Sequence, residues 1–243
     1  MPQGGFYIRM VFWLRSDTQR LLLLWMLLVA MSGAACADRM DMVSVNKHLQ
    51  VVAADGEYKR DWHEGASYAE GGLLVPRLFQ KDYTNTLVIL DGDGKSVESS
   101  GCAAVCLSMA LAYLCLELPQ SPETIFRDAC LAGLYQGNGL NLSSIKKLGE
   151  GYGIEVQQVG RYPGAVRTAL MKGFPVIAYV GKGLFSNGGY YILLRGFAEE
   201  DDVYVNDPNS RERSDRAYPL SVIVEQTRSS NPFLICKPVS STD

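Results

Sequence analysis

"SSGCAAVCLSMALAYLCLEL", residues Ser99–Leu118, contains a run from Ala103 to Leu116 in which Ser108 is the single clearly polar side chain. A helix that is apolar on every side belongs in a protein interior, and this one is too short to cross a bilayer. It opens with Gly101 and a thiol, Cys102. Glycine permits a tight entry into the helix. A thiol in the first turn meets unpaired backbone N–H groups and the positive end of the helix dipole, both of which favour thiolate. Those N–H groups can also stabilise an oxyanion. Against this stands the plainer reading of a small hydrophobe in a packed helix, which suffices for Cys106, Cys115 and Cys130.

Working outward from that helix, "VPRLFQKDYTNTLVIL" ends as a short strand and "DGDGK" reads as a turn rather than a calcium loop, because the rest of an EF-hand is missing. Downstream, "PQSPETIFRDACLAGLYQGNG" starts with Ser121 as N-cap and Pro122 at the first helical position, and Gly137 and Gly139 are expected to end it. "NLSSIKKLGEGYG" gives a further short helix, "IEVQQV" a strand by alternation, and "PGAVRTALMKG" a helix with Gly173 just past its end. Strand candidates follow in "FPVIAYV", "GGYYILLRGF" and "DDVYVND", the last two joined by "AEED" as a hairpin. "LSVIVEQ" is a late helix or turn and "FLICKP" a final strand. Helices first and an antiparallel sheet after is the α+β order.

The amino-terminal segment has a different character. Arginines at 9, 15 and 20 precede an uncharged apolar stretch from Leu21, and small residues end in Ala35-Cys36-Ala37. That is the layout of a secretory signal, so residues 1–37 are expected to be a signal peptide cleaved after Ala37, or an anchor lipidated at Cys36. Either way the chain is expected to be exported, secreted or held at the cell surface. It would meet the membrane only through this segment. Residues 38–75 are polar and weakly periodic, a loosely attached arm, and residues 76–243 are the compact domain. Roughly 200 residues beyond the signal suffice for one domain with a real core.

A net charge of −3 with mixed surface charge gives no basic footprint, which argues against nucleic acid as a partner. Cys102, Cys106 and Cys115 share one helix and cannot bridge one another without strain, so the six cysteines do not form a disulfide framework. No CxxC occurs and the chain has two histidines, His48 and His63, so no metal or other cofactor is expected.

Three stretches, "SSGCAAVCLSMALAYL", "GGYYILLRGF" and "DVYVNDPNSRERS", resemble in order and spacing the C39-like, bacteriocin-processing-type branch of the papain-like cysteine peptidases, a bacterial family of hydrolases. The resemblance covers about Leu78 to Cys236. It implies a papain-like α+β fold with the nucleophile helix packed on an antiparallel sheet, and a cleft that takes a peptide or protein in extended conformation. Carried over by position, Cys102 is the nucleophile and Asp207 the acidic triad member. The family histidine falls on Tyr190. Gln80, in "FQKDY", matches an upstream glutamine that holds the oxyanion. This sequence departs from the family in reading Cys-Ala-Ala where members carry Cys-Gly-Pro, and above all in the tyrosine. Papain-type chemistry needs a base near neutral pKa, and a phenol with a reference pKa of about 10 cannot form a thiolate–imidazolium pair. His48 and His63 lie in the polar arm, where solvation is the ordinary state of a histidine. The sequence therefore reads as a cysteine peptidase domain weakened or silenced at Tyr190. Its alternatives are a peptide-binding pseudopeptidase and a purely structural surface domain.

Overall fold

Ala103 through Ala112 are all buried, on every face of the helix Cys102–Leu114. In the computed structural model of the chain this helix is the spine of a two-sided core. The structure describes residues 49–51, 67–85, 87–90, 93–115, 120–137 and 139–239. Residues 1–37, read as a signal segment, together with His48 and His63, fall outside the described residues.

The element order is β1 (Leu49–Val51), β2 (Ser67–Tyr68), β3 (Pro76–Arg77), β4 (Val88–Leu90), β5 (Asp93–Lys95), α1 (Val97–Ser100), α2 (Cys102–Leu114), α3 (Pro122–Leu131) and α4 (Leu142–Gly151). It continues with β6 (Ile154–Val159), α5 (Pro163–Met171), β7 (Val176–Val180), β8 (Tyr190–Phe197) and β9 (Asp202–Asn206). Last come α6 (Arg211–Ser214), β10 (Ala217–Pro219), α7 (Leu220–Glu225) and β11 (Phe233–Pro238). The main sheet runs β10-β9-β8-β7-β11-β6, and every neighbouring pair is antiparallel.

Alternation along β8 divides the core. Tyr191 and Leu193 face the cluster built by α2, α3 and α4, whereas Tyr190, Ile192 and Leu194 face the cluster that holds Val166 of α5 and Ile223 of α7. Helices on both faces explain why β8 is apolar almost throughout instead of alternating with polar residues. The sheet and α2 are the expected α+β, papain-like arrangement.

Local chemistry sets the helix ends. Ser121 accepts from the Thr124 N–H with Pro122 at the first position, and Asn141 accepts from the Ser144 N–H at 2.8 Å. Three expectations need correction. The helix expected to reach Gly137 stops at Leu131, because Gly133 turns the chain at φ +63°. Within "DGDGK", Asp93–Lys95 is a strand paired with β4, since a backbone ladder against Val88–Leu90 satisfies polar groups that a turn would leave to water.

The third concerns the boundary at 75/76, which falls inside a hairpin: Ser67–Tyr68 pairs with Pro76–Arg77, and Leu49–Val51 pairs with Val88–Leu90. The hairpin is fastened to β8 by a buried cation. The Arg195 guanidinium donates to the Glu70 carbonyl at 3.1 Å and to that of Gly71, and lies 4.8 Å over the Tyr204 ring. Beside it the Leu73 N–H donates to the Arg195 carbonyl at 2.5 Å. A Cβ on Gly72 would sit 2.6 Å from that carbonyl oxygen, so the two backbones touch only because the residue is glycine.

Candidate active site

Three element ends meet at one cleft. Cys102 is the first residue of α2, Tyr190 the first of β8, and Asp207 follows the last residue of β9. Cys102, Tyr190 and Gln80 line an open cleft of about 370 Å³ together with Ser100, Gly189 and Asn209. Asp207 lies behind it, 1% exposed, bonded to Tyr190. All four residues singled out in the sequence thus converge, and Cys102 packs against both halves of the core.

Gly101 is needed for room rather than for an unusual backbone angle. Its φ is −100°, which any residue adopts, but an added Cβ would stand 2.6 Å from Val97 Cα and 2.7 Å from its carbonyl oxygen. The preceding turn α1 closes on itself through a Ser96–Ser99 capping box, so α1 and α2 abut with one glycine between them.

The thiol is not the expected thiolate. Burial pushes Cys102 up to about 11, and the negative charge of Asp207 adds to the rise. Backbone N–H groups of Tyr191, Ala103 and Cys102 itself oppose it. Desolvation outweighs the helix end here, so the sulfur carries its proton at neutral pH.

Tyr190 is held by the acid. Its hydroxyl donates to Asp207 Oδ1 at 2.9 Å, and burial followed by the Asp207 charge pushes the phenol well above its usual range. The phenol proton points at a carboxylate and is not offered to the sulfur. Asp207 is fully partnered. Oδ1 also accepts the Asn209 N–H at 2.8 Å, Oδ2 takes Arg213 Nε at 2.5 Å, and the Asp207 N–H donates to Ser214 Oγ at 2.8 Å. Arg213 and Ser214 belong to α6, inside the "NSRERS" that follows the acid. Ser210 at the cap of that short helix is the sequence signal that brings both back onto Asp207.

Gln80 sits in a 3-10 turn, 4% exposed, and its own N–H donates to the Pro208 carbonyl at 2.8 Å. Its Nε2 donates to the Val97 carbonyl at 3.0 Å and the Glu98 carbonyl at 3.1 Å. Both amide protons are committed to backbone. Gln80 therefore stands in the cleft without a free proton to give an oxyanion, which the expected role requires. Tyr191, whose N–H faces the sulfur, lines a separate cavity of about 440 Å³, where its ring stacks on Tyr179 at 4.7 Å.

No curated protein matches the sequence. Among solved structures, a double glycine motif protease from an AMS/PCAT transporter, in complex with the leader peptide, is 22% identical, with 71% of this chain and 97% of that one covered and a TM-score of 0.47. A C39-like peptidase from Bacillus anthracis is 14% identical over 70% of this chain and 98% of its own, with a TM-score of 0.48. Residues 73–230 match the model of the Peptidase_C39 like family, from the hairpin fastened by Arg195 to the loop before β11, and the chain belongs to that family.

Proposed function

We propose that this chain is an exported C39-like domain that binds peptide in the Cys102 cleft and cuts it weakly or not at all. One observation carries the reading: the Tyr190 hydroxyl donates to Asp207 where the family chemistry needs a base facing the thiol. In an active relative an imidazole would take the thiol proton, sulfur would attack the scissile carbonyl, and the imidazolium would return the proton to the departing amine. Water would then hydrolyse the thioester. A phenol hydrogen-bonded to a carboxylate does neither proton transfer at neutral pH, and loss of one triad member commonly costs several orders of magnitude in rate.

The test is Tyr190→His. Three features support the exchange: a thiol at a helix end, backbone N–H groups around it, and a carboxylate that already accepts a hydrogen bond from position 190. The exchange is expected to produce peptide hydrolysis that the native chain lacks, and Cys102→Ala on that background to abolish it. Strong Cys102-dependent hydrolysis by the native chain would refute the proposal.

A further inference from the structure

Tyr191 is 5% exposed, and its hydroxyl has no hydrogen-bond partner among the described residues. A buried phenol ordinarily finds one. The hydroxyl is not sealed inside the core, so it opens onto the cavity of about 440 Å³ that its ring lines. Tyr179, stacked on that ring, brings a second hydroxyl without a partner among the described residues.

Other polar groups of the cavity are half committed, and that fixes what each has left. Asn141 Oδ1 accepts from the Ser143 hydroxyl at 2.7 Å and the Ser144 N–H at 2.8 Å, which leaves the Asn141 amide protons. Gln158 Nε2 donates to the Asn231 carbonyl at 2.8 Å, which leaves the Gln158 oxygen. Uncommitted donors at Tyr179, Tyr191 and Asn141 therefore accompany an acceptor at Gln158. None of the described residues lining the cavity is charged. A carboxylate entering it would give up water without meeting a cation, and an ammonium would meet mostly donors. A neutral carboxamide suits the set, because its oxygen takes phenol protons and its amino group gives one to Gln158.

The cavity lies beside the Cys102 cleft. Gly137 lines the cleft, whereas Gln136 and Gly139 line the cavity, and the consecutive residues Tyr190 and Tyr191 of β8 divide in the same way. A Cβ on Gly189, in the cleft wall, would stand 2.5 Å from the Tyr179 hydroxyl. From this we infer that the cavity is a specificity subsite, which takes an asparagine or glutamine side chain of the peptide held at Cys102. The inference rests on the reading of the Cys102 cleft as a peptide site. An extended peptide turns successive side chains to opposite sides, so one side chain enters the cavity while the backbone stays in the cleft.

The full chain can be tested by fluorescence polarisation against labelled hexapeptide mixtures in which one position at a time is fixed as Gln, Glu, Lys or Leu. At one position Gln should bind roughly tenfold tighter than Leu or Glu, the size of one or two net hydrogen bonds. Tyr191→Phe removes the hydroxyl and keeps the ring. It should shrink that preference and leave those at the other positions unchanged. If this variant does not fold, Tyr179→Phe carries the same expectation. Binding with no preference for Gln at any position, or a preference that the phenylalanine variant leaves intact, would overturn the inference and leave the peptide-site reading standing. Failure of every mixture to bind would overturn both.

Discussion

Asp207 is the residue on which the site turns, because its carboxylate is shared among Tyr190, Asn209 and Arg213. Removing one donor differs from removing the acceptor. Tyr190→Phe deletes a hydroxyl and leaves the carboxylate two partners, so a loss of about 1 kcal/mol in a urea titration is expected. Asp207→Ala strands a buried hydroxyl and a guanidinium together, and a loss of about 3 kcal/mol is expected. The equal-effect outcome would show that the phenol, not the acid, organises the cleft. The thiol has its own signature. With Cys102 pushed up to about 11, its alkylation rate should keep climbing with pH until near that value. A plateau below the ordinary thiol range, as a thiolate pair would give, would contradict the burial argument. Cys102 was legible from its own residues, a glycine and a thiol opening an apolar run, whereas Tyr190 and Asp207 were singled out through the family resemblance of the stretches that carry them. The protonation of the sulfur and the commitment of the Gln80 amide protons were not legible. The first depends on how much of the core closes over the helix start. The second depends on two carbonyls of α1, seventeen and eighteen residues away along the chain.

At the scale of elements, α2 was readable from its sequence because a long apolar run of that kind has only the interior to go to. The turn signals at Ser121, Asn141 and Gly173 were equally local. What escaped was pairing. β5 looks like a turn until β4 is set beside it, and the hairpin of β2 and β3 looks like a polar arm until Arg195 is found under it. A buried arginine in "YILLRGF" is a signal in hindsight, since a cation in an apolar strand must be met by something. The junction of α1 and α2 gives a prediction. Gly101→Ala drives a Cβ into Val97 backbone, which cannot step aside as a flexible side chain could. We expect a loss of about 1–3 kcal/mol and a changed Cys102 alkylation rate, measured by thermal melting and by peptide mapping. An unchanged rate would mean the helix start tolerates displacement.

Among the described residues Cys106, Cys130 and Cys236 are buried thiols and Cys102 is partly buried, and that makes the molecule sensitive to alkali. Burial pushes Cys102 up to about 11 and Cys130 and Cys236 up to about 12. A group whose pKa is higher folded than unfolded binds more protons in the folded state between the two values, so stability falls as pH rises across that interval. The three contributions are whole below the ordinary thiol value of 9.0 and are lost progressively toward about 12. Melting temperature should therefore decline through that window, and replacing Cys236 by Ala should flatten the decline while lowering the starting point through the cavity left behind. The order of the sheet bears on something else, the timing of birth. β11 comes after every other described strand, yet it lies inside the sheet between β7 and β6. Phe233 pairs with both Ala178 and Val159, a closure across some seventy residues in the second case. A chain delivered amino end first from a ribosome or a pore thus waits, with β7 open and β6 unattached, for a handful of late residues to lock the sheet.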